Sequence, residues 1–133
     1  MKQDIPCDLK NSINEPILSF IKDSSAHSDV ADAFLKAVTP LGDVQAFCPD
    51  PSQYRYILVS TKNIVFGFSI GMNTIAFRLT PLFKNRAIET GGKDYSEAGP
   101  DWVSFTLFRD DWPEIDLMFW ARKAYVSARE TRA

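Results

Sequence analysis

The densest alternation of apolar and polar positions lies between Ile64 and Leu79 (IVFGFSIGMNTIAFRL), and it predicts two β-strands joined by a tight turn at Gly71-Met72-Asn73. Successive side chains leave a strand on opposite sides. Strict alternation therefore groups Ile64, Phe66, Phe68 and Ile70 on one side of the first strand, and Ile75, Phe77 and Leu79 on one side of the second. Those bulky positions predict a core face. The other face carries small or polar residues, among them Gly67, Ser69, Ala76 and Arg78, and is the first place to look for a binding site.

The same period of two continues on either side. Val44–Phe47 and Tyr54–Val59 read as strands before the hairpin, and Trp102–Phe108 as one after it, with Val103, Phe105 and Leu107 sharing a face. Short polar turns between consecutive runs predict an antiparallel meander of about five strands. Helical spacing brackets it. Asn14-Glu15-Pro16 opens a helix with Ile17, Phe20 and Ile21 on its buried stripe, Asn14 serving as the cap and Pro16 sitting in the first turn. Ser28, with Asp29 and Asp32 near the positive helix end, opens a second helix carrying Val30, Ala33, Phe34, Ala37 and Val38, which Pro40 and Gly42 end.

Two further helices follow. One is inserted after the hairpin, with Pro81 in its first turn, Leu82, Phe83, Ala87 and Ile88 on one face, and Gly91-Gly92 as its C-terminal cap. The last runs through the C-terminus, with a capping box at Asp111 and Glu114 and Pro113 in its first turn. Its apolar arc (Ile115, Leu117, Met118, Phe119, Ala121, Ala124, Tyr125, Val126, Ala128) is wide, so it is expected to cover the bulky sheet face and also to meet the N-terminal helices. The fold class is thus α+β: one domain over residues 1–133, with an N-terminal helical pair, one inserted helix and a C-terminal helix packed on one face of the sheet.

Composition narrows the function classes more than it selects one. The 133 residues suffice for one domain with a real core, and 45% of them are hydrophobic. No apolar run approaches the roughly 20 residues of a membrane helix, and no leader-like apolar segment opens the chain, which makes the cytoplasm the expected location. Cys7 and Cys48 fit that compartment as reduced thiols, although a bridge between them stays open. With a single histidine, His27, and no CxxC spacing, neither a zinc site nor a cofactor is implied. The net charge of −2 and a pI near 5.3 disfavour a nucleic-acid partner. Residues 1–50 carry four lysines against eight acids, −4 in all, which leaves only +2 for the rest.

Three places remain for chemistry. The small sheet face offers Gly67, Ser69, Ala76, Arg78, Ser104 and Thr106, edged by Trp102 and by Tyr54 or Tyr56; glycines inside a strand mark a bulge or a close approach by another backbone or ligand. A solvated face, or one covered by the loop Lys93–Pro100, is the plainer alternative. On the last helix, Arg122 lies within the apolar arc with Arg129 seven residues on; such an arginine snorkels or pairs with a carboxylate, or else holds an anionic group or an acidic partner. The loop GGKDYSEAGPDW lacks the Lys-Ser/Thr of a phosphate loop and the spacing of a calcium loop, so its acids read as solvated. Nucleophilic catalysis by Cys7 or Cys48 would need His27 as its base and ranks last, as does work by a carboxylate. The candidate ligand-binding residues are therefore Gly67, Ser69, Arg78, Trp102 and Arg122, in a non-enzymatic module for a small ligand or a protein. A homodimer is compatible with this.

Residues 64–130 also resemble, in element order, the MmcQ/YjbR-like family of small bacterial proteins: TIAFRLTP ending a strand pair, a helix closing on GG, a loop into DWVSFTL, and a last segment from DDWPEID to KAYVSA. Trp102 and Tyr125 are the nearest single matches. The resemblance implies an α+β fold with a wing-like antiparallel sheet and a DNA-binding role, for which Arg78, Arg109, Arg122, Lys123 and the aromatics would supply the contacts.

Overall fold

The computed structural model of the protein describes residues 5–21, 28–49, 56–106 and 116–131. The expected capping box at Asp111 and Glu114, His27, Tyr54, Arg109, and the end of the last strand lie outside these residues. The described chain is an open antiparallel sheet of six strands with four helices packed against it. In chain order the elements are α1 (Glu15–Ile21), α2 (Ser28–Val38), β1 (Gln45–Phe47), β2 (Ile57–Thr61), β3 (Ile64–Ile70), β4 (Thr74–Arg78), α3 (Pro81–Glu89), β5 (Lys93–Asp94), β6 (Trp102–Thr106) and α4 (Leu117–Glu130). The sheet order is β1-β2-β3-β4-β6-β5. The sixth strand, β5, is a two-residue edge formed inside the Lys93–Pro100 loop. Among the described residues no helix is long and apolar enough to cross a membrane.

The alternation in β3 is not strict. Val59 pairs with Gly67 and Ser60 with Val65, so Phe66 is an extra residue opposite β2. This β-bulge inverts the phase of the strand. Ile64 and Phe66 enter one core layer, with Ile57, Val59, Ile75, Phe77, Val103 and Phe105, whereas Val65 and Phe68 enter the other, with Leu58, Ala76 and Trp102. Gly67 lies at the inversion: a Cβ there would stand 3.0 Å from the Phe77 ring and 3.1 Å from Phe34 of α2. The glycine admits that approach.

Each face therefore has its own core. α2 and α4 cover the Phe66 side through Val30, Phe34, Val38, Trp120, Ala121, Ala124 and Ala128. α1 covers the Phe68 side through Ile17 and Ile21, helped by Leu9 and by Ala98 from the loop before β6. The N-terminal helical pair is divided by the sheet, and α4 meets α2 but lies across the sheet from α1. Asn14, expected to cap α1, does different work. Its Oδ1 accepts from the backbone N–H of Val65 at 3.0 Å, and its Nδ2 donates to the carbonyls of Leu9 (2.8 Å) and Asn63 (2.9 Å). The Asn11 side chain accepts instead from the N–H groups of Ile13 and Asn14 at the start of α1. Asn14 is fully buried, so these bonds satisfy an amide that would otherwise carry a desolvation cost.

The ends of the other helices follow their local chemistry. α3 closes as a Schellman motif: Gly92 N–H donates to Ala87 O, Gly91 N–H to Ile88 O, and Gly91 adopts φ +115°. α4 begins at Leu117, where the Asp116 carboxylate accepts from Phe119 N–H at 3.0 Å. Its far end is tied down by Arg129, which donates to Asp43 (3.0 Å), Thr61 (3.1 Å) and the Tyr125 hydroxyl (3.3 Å).

Candidate interaction surface

The bulge redistributes the small-residue face that alternation predicts. Gly67 and Ser69 turn toward α2 and α4, while Arg78 and Trp102 lie on the opposite side, directly paired across β4 and β6. The shifted phase brings Phe68 to the side of Ala76, its partner across the sheet. The Phe68 ring packs 5.1 Å from Trp102, 5.8 Å from Tyr95 and 6.0 Å from Phe20, centroid to centroid. Trp102 is 3% exposed. Arg78 reaches Asp101 at 4.0 Å. Burial, and then Glu97, raise the Tyr95 phenol above its ordinary pKa, as a ring inserted into this layer should be. The five residues expected to bind a ligand are thus divided: Gly67 and Ser69 share the side under α2 and α4, Arg78 and Trp102 share the other with Trp102 in a filled core layer, and Arg122 joins neither pair.

Ser69 is fully buried, and its hydroxyl has no hydrogen-bond partner among the described residues. It pairs across the sheet with Ile57 and Ile75, both core residues, so it sits in apolar surroundings. Cys7 and Cys48 are free thiols. Among the described residues no group of three His, Cys, Asp or Glu side chains is placed to hold a metal ion.

The fifth residue, Arg122, is different. It is exposed on α4, next in sequence to Lys123, which reaches α3. Lys123 Nζ lies 4.9 Å from the centroid of Phe83 on α3 and 5.3 Å from that of Phe119 on α4, bridging the helices. The Arg86 guanidinium also lies over the Phe83 ring, 5.9 Å from its centroid. Each cation–π contact at an exposed site contributes only ~0.5–1 kcal/mol and leaves the positive charge in place. No carboxylate among the described residues lies within ion-pair distance of Arg86, Arg122 or Lys123. By contrast Lys84 is engaged by Asp94 at 3.0 Å and by Pro100 O, and Arg129 by Asp43.

Exposed apolar side chains border these cations: Leu82 (59%), Met118 (44%) and Phe119 (39%). Phe119 does not hang free, because its ring meets Trp120 edge-on at 4.8 Å, and Trp120 stacks on Phe105 of the sheet at 5.8 Å. The surface is thereby anchored to the core. Arg122 was legible in the sequence as an arginine within an apolar arc. Lys123 entered only as a contact of the nucleic-acid reading, and Phe83 and Arg86 were not singled out for binding, since only the docking of α3 beside α4 makes Lys123 and Phe83 neighbours. Comparison of the chain with family models, with curated proteins and with solved structures returned no match.

Proposed function

We propose that this protein is a non-enzymatic intracellular interaction module that binds an acidic protein segment through the α3–α4 face. The observation that carries the reading is three cations without carboxylate partners among the described residues, Arg86, Arg122 and Lys123, on two adjacent helices that also expose Leu82, Met118 and Phe119. An acidic segment with apolar side chains supplies both complements, whereas phosphate contacts would use the cations and leave the apolar positions idle. A two-fold dimer through the same face would set like charges against each other.

The probe is a panel of synthetic 15-residue peptides alternating Glu with Leu, titrated calorimetrically into the full chain. Binding that weakens as salt rises, and that falls at least tenfold in the triple variant Arg86→Glu/Arg122→Glu/Lys123→Glu, is the expected result. Equal affinity for the triple variant would overturn the reading. Duplex DNA in a gel shift provides the rival outcome. Retention at low salt, lost in the triple variant and unmatched by the peptides, would replace an acidic protein partner with the nucleic-acid role that the MmcQ/YjbR-like resemblance implies. Three phosphate contacts would give a log–log salt slope of about −2.7.

A further inference from the structure

On the far side of the molecule, the N-terminal segment and the outer side of α1 border a shallow, open cleft of about 550 Å³. Its apolar lining comes from Ile5 and Leu18, both half-buried against the Phe68-side core. Polar side chains stand around these two: Asn11, whose amide is already bonded to Asn63 O and to the N–H groups of Ile13 and Asn14, and four others, Lys10, Ser12, Glu15 and Ser19. None of the four has a side-chain hydrogen bond or ion pair among the described residues, and Lys10 and Glu15 do not reach each other. One cleft thus presents an unneutralised ammonium, an unneutralised carboxylate and an apolar floor.

We infer that this cleft binds a small apolar zwitterion, specifically a dipeptide with free termini, independently of the α3–α4 face. The ligand's carboxylate lies at Lys10, its ammonium at Glu15, and its aliphatic side chains cover Ile5 and Leu18. The cleft volume falls inside the range of small-molecule sites, roughly 300–1,000 Å³, which admits a ligand of this class. A monoanion or a monocation would satisfy one charged side chain and leave the other facing a like or neutral group. Ser12 and Ser19 provide hydroxyls that donate to the ligand carboxylate or accept from its amide N–H.

The test is a ¹H–¹⁵N correlation titration of the full chain with four probes: Leu-Leu, its N-acetyl form, its C-terminal amide, and the doubly capped form. Free Leu-Leu is expected to shift the amides of Ser12, Leu18 and Ser19 saturably, and each cap to weaken binding about fivefold, the upper range of an exposed ion pair. Lys10→Ala removes the sensitivity to C-terminal amidation while keeping that to N-acetylation, and Glu15→Gln does the reverse. Both side chains are exposed, so neither change threatens folding. Equal affinities for all four probes would overturn the assignment, and so would the absence of saturable shifts at these amides. Shifts confined to α3 and α4 would do the same while leaving the acidic-partner reading intact.

Discussion

The two faces of the sheet solve the same problem by different means. The Phe66 face is covered by two helices of 11 and 14 residues, α2 and α4, which contribute a broad aliphatic and aromatic layer. The Phe68 face is covered by a seven-residue helix, a short N-terminal turn and a loop, and its layer depends on ring contacts among Phe20, Phe68, Tyr95 and Trp102. Small covering pieces bury less area each, so their attachment needs directional bonds. Asn14 supplies them. A face covered by long helices is held by packing area; a face covered by fragments is held by a buried amide and a few rings.

The sharpest way to break this division is Phe68→Ala. The ring is fully buried and its loss should cost about 3–5 kcal/mol in urea denaturation. A double-mutant cycle with Tyr95→Leu should return about 0.5–1.5 kcal/mol of ring–ring coupling, and a Phe66–Tyr95 cycle about zero. Coupling of Tyr95 to Phe66 would put both phenylalanines on one face and refute the bulge. Next in size, Asn14→Ala leaves the Val65 N–H and the Leu9 carbonyl without their partners and should cost about 3 kcal/mol, with faster hydrogen exchange at the Val65 amide. An unchanged Val65 exchange rate would mean that the N-terminal segment is held some other way. The smallest effect is on the opposite face. Ser69→Ala removes an unpaired buried hydroxyl and should stabilise by up to about 1 kcal/mol; a loss of stability would show that the hydroxyl has a partner.

Much of the frame was legible because it rests on local chemistry. Pro81 and Gly91-Gly92 bracket α3, and the alternation of Val103 and Phe105 sets the inward face of β6. The α+β class follows from the switch between a period of two and a period near 3.6. What stayed hidden has one cause in β3 and another in the helices. A bulge adds one residue without changing composition, so IVFGFSI reads as one bulky and one small face although Phe68 crosses to the other side; Gly67 was the only local sign of it. The amphipathic stripes of α1 and α2 each demand an apolar neighbour but do not say which side of the sheet provides it. The candidate surface shares this limit, since Lys123 finds Phe83 only after a turn of tertiary structure that no spacing encodes.

The asparagine clamp also bears on how the chain comes off the ribosome. Asn11 and Asn14 bond to Asn63 and Val65, which lie 49 to 52 positions later. At roughly 5–20 residues per second, translation delivers those partners about 3–10 s after the asparagines themselves. During that interval α1, at seven residues, is too short to persist as an isolated helix, and Ile17 and Ile21 have no sheet to cover. The turn at Lys62-Asn63 is then the event that captures the N-terminal segment. Slowing translation after codon 65 should favour its docking, and slowing it before should prolong the exposure of Ile17 and Ile21 to the cell's chaperones.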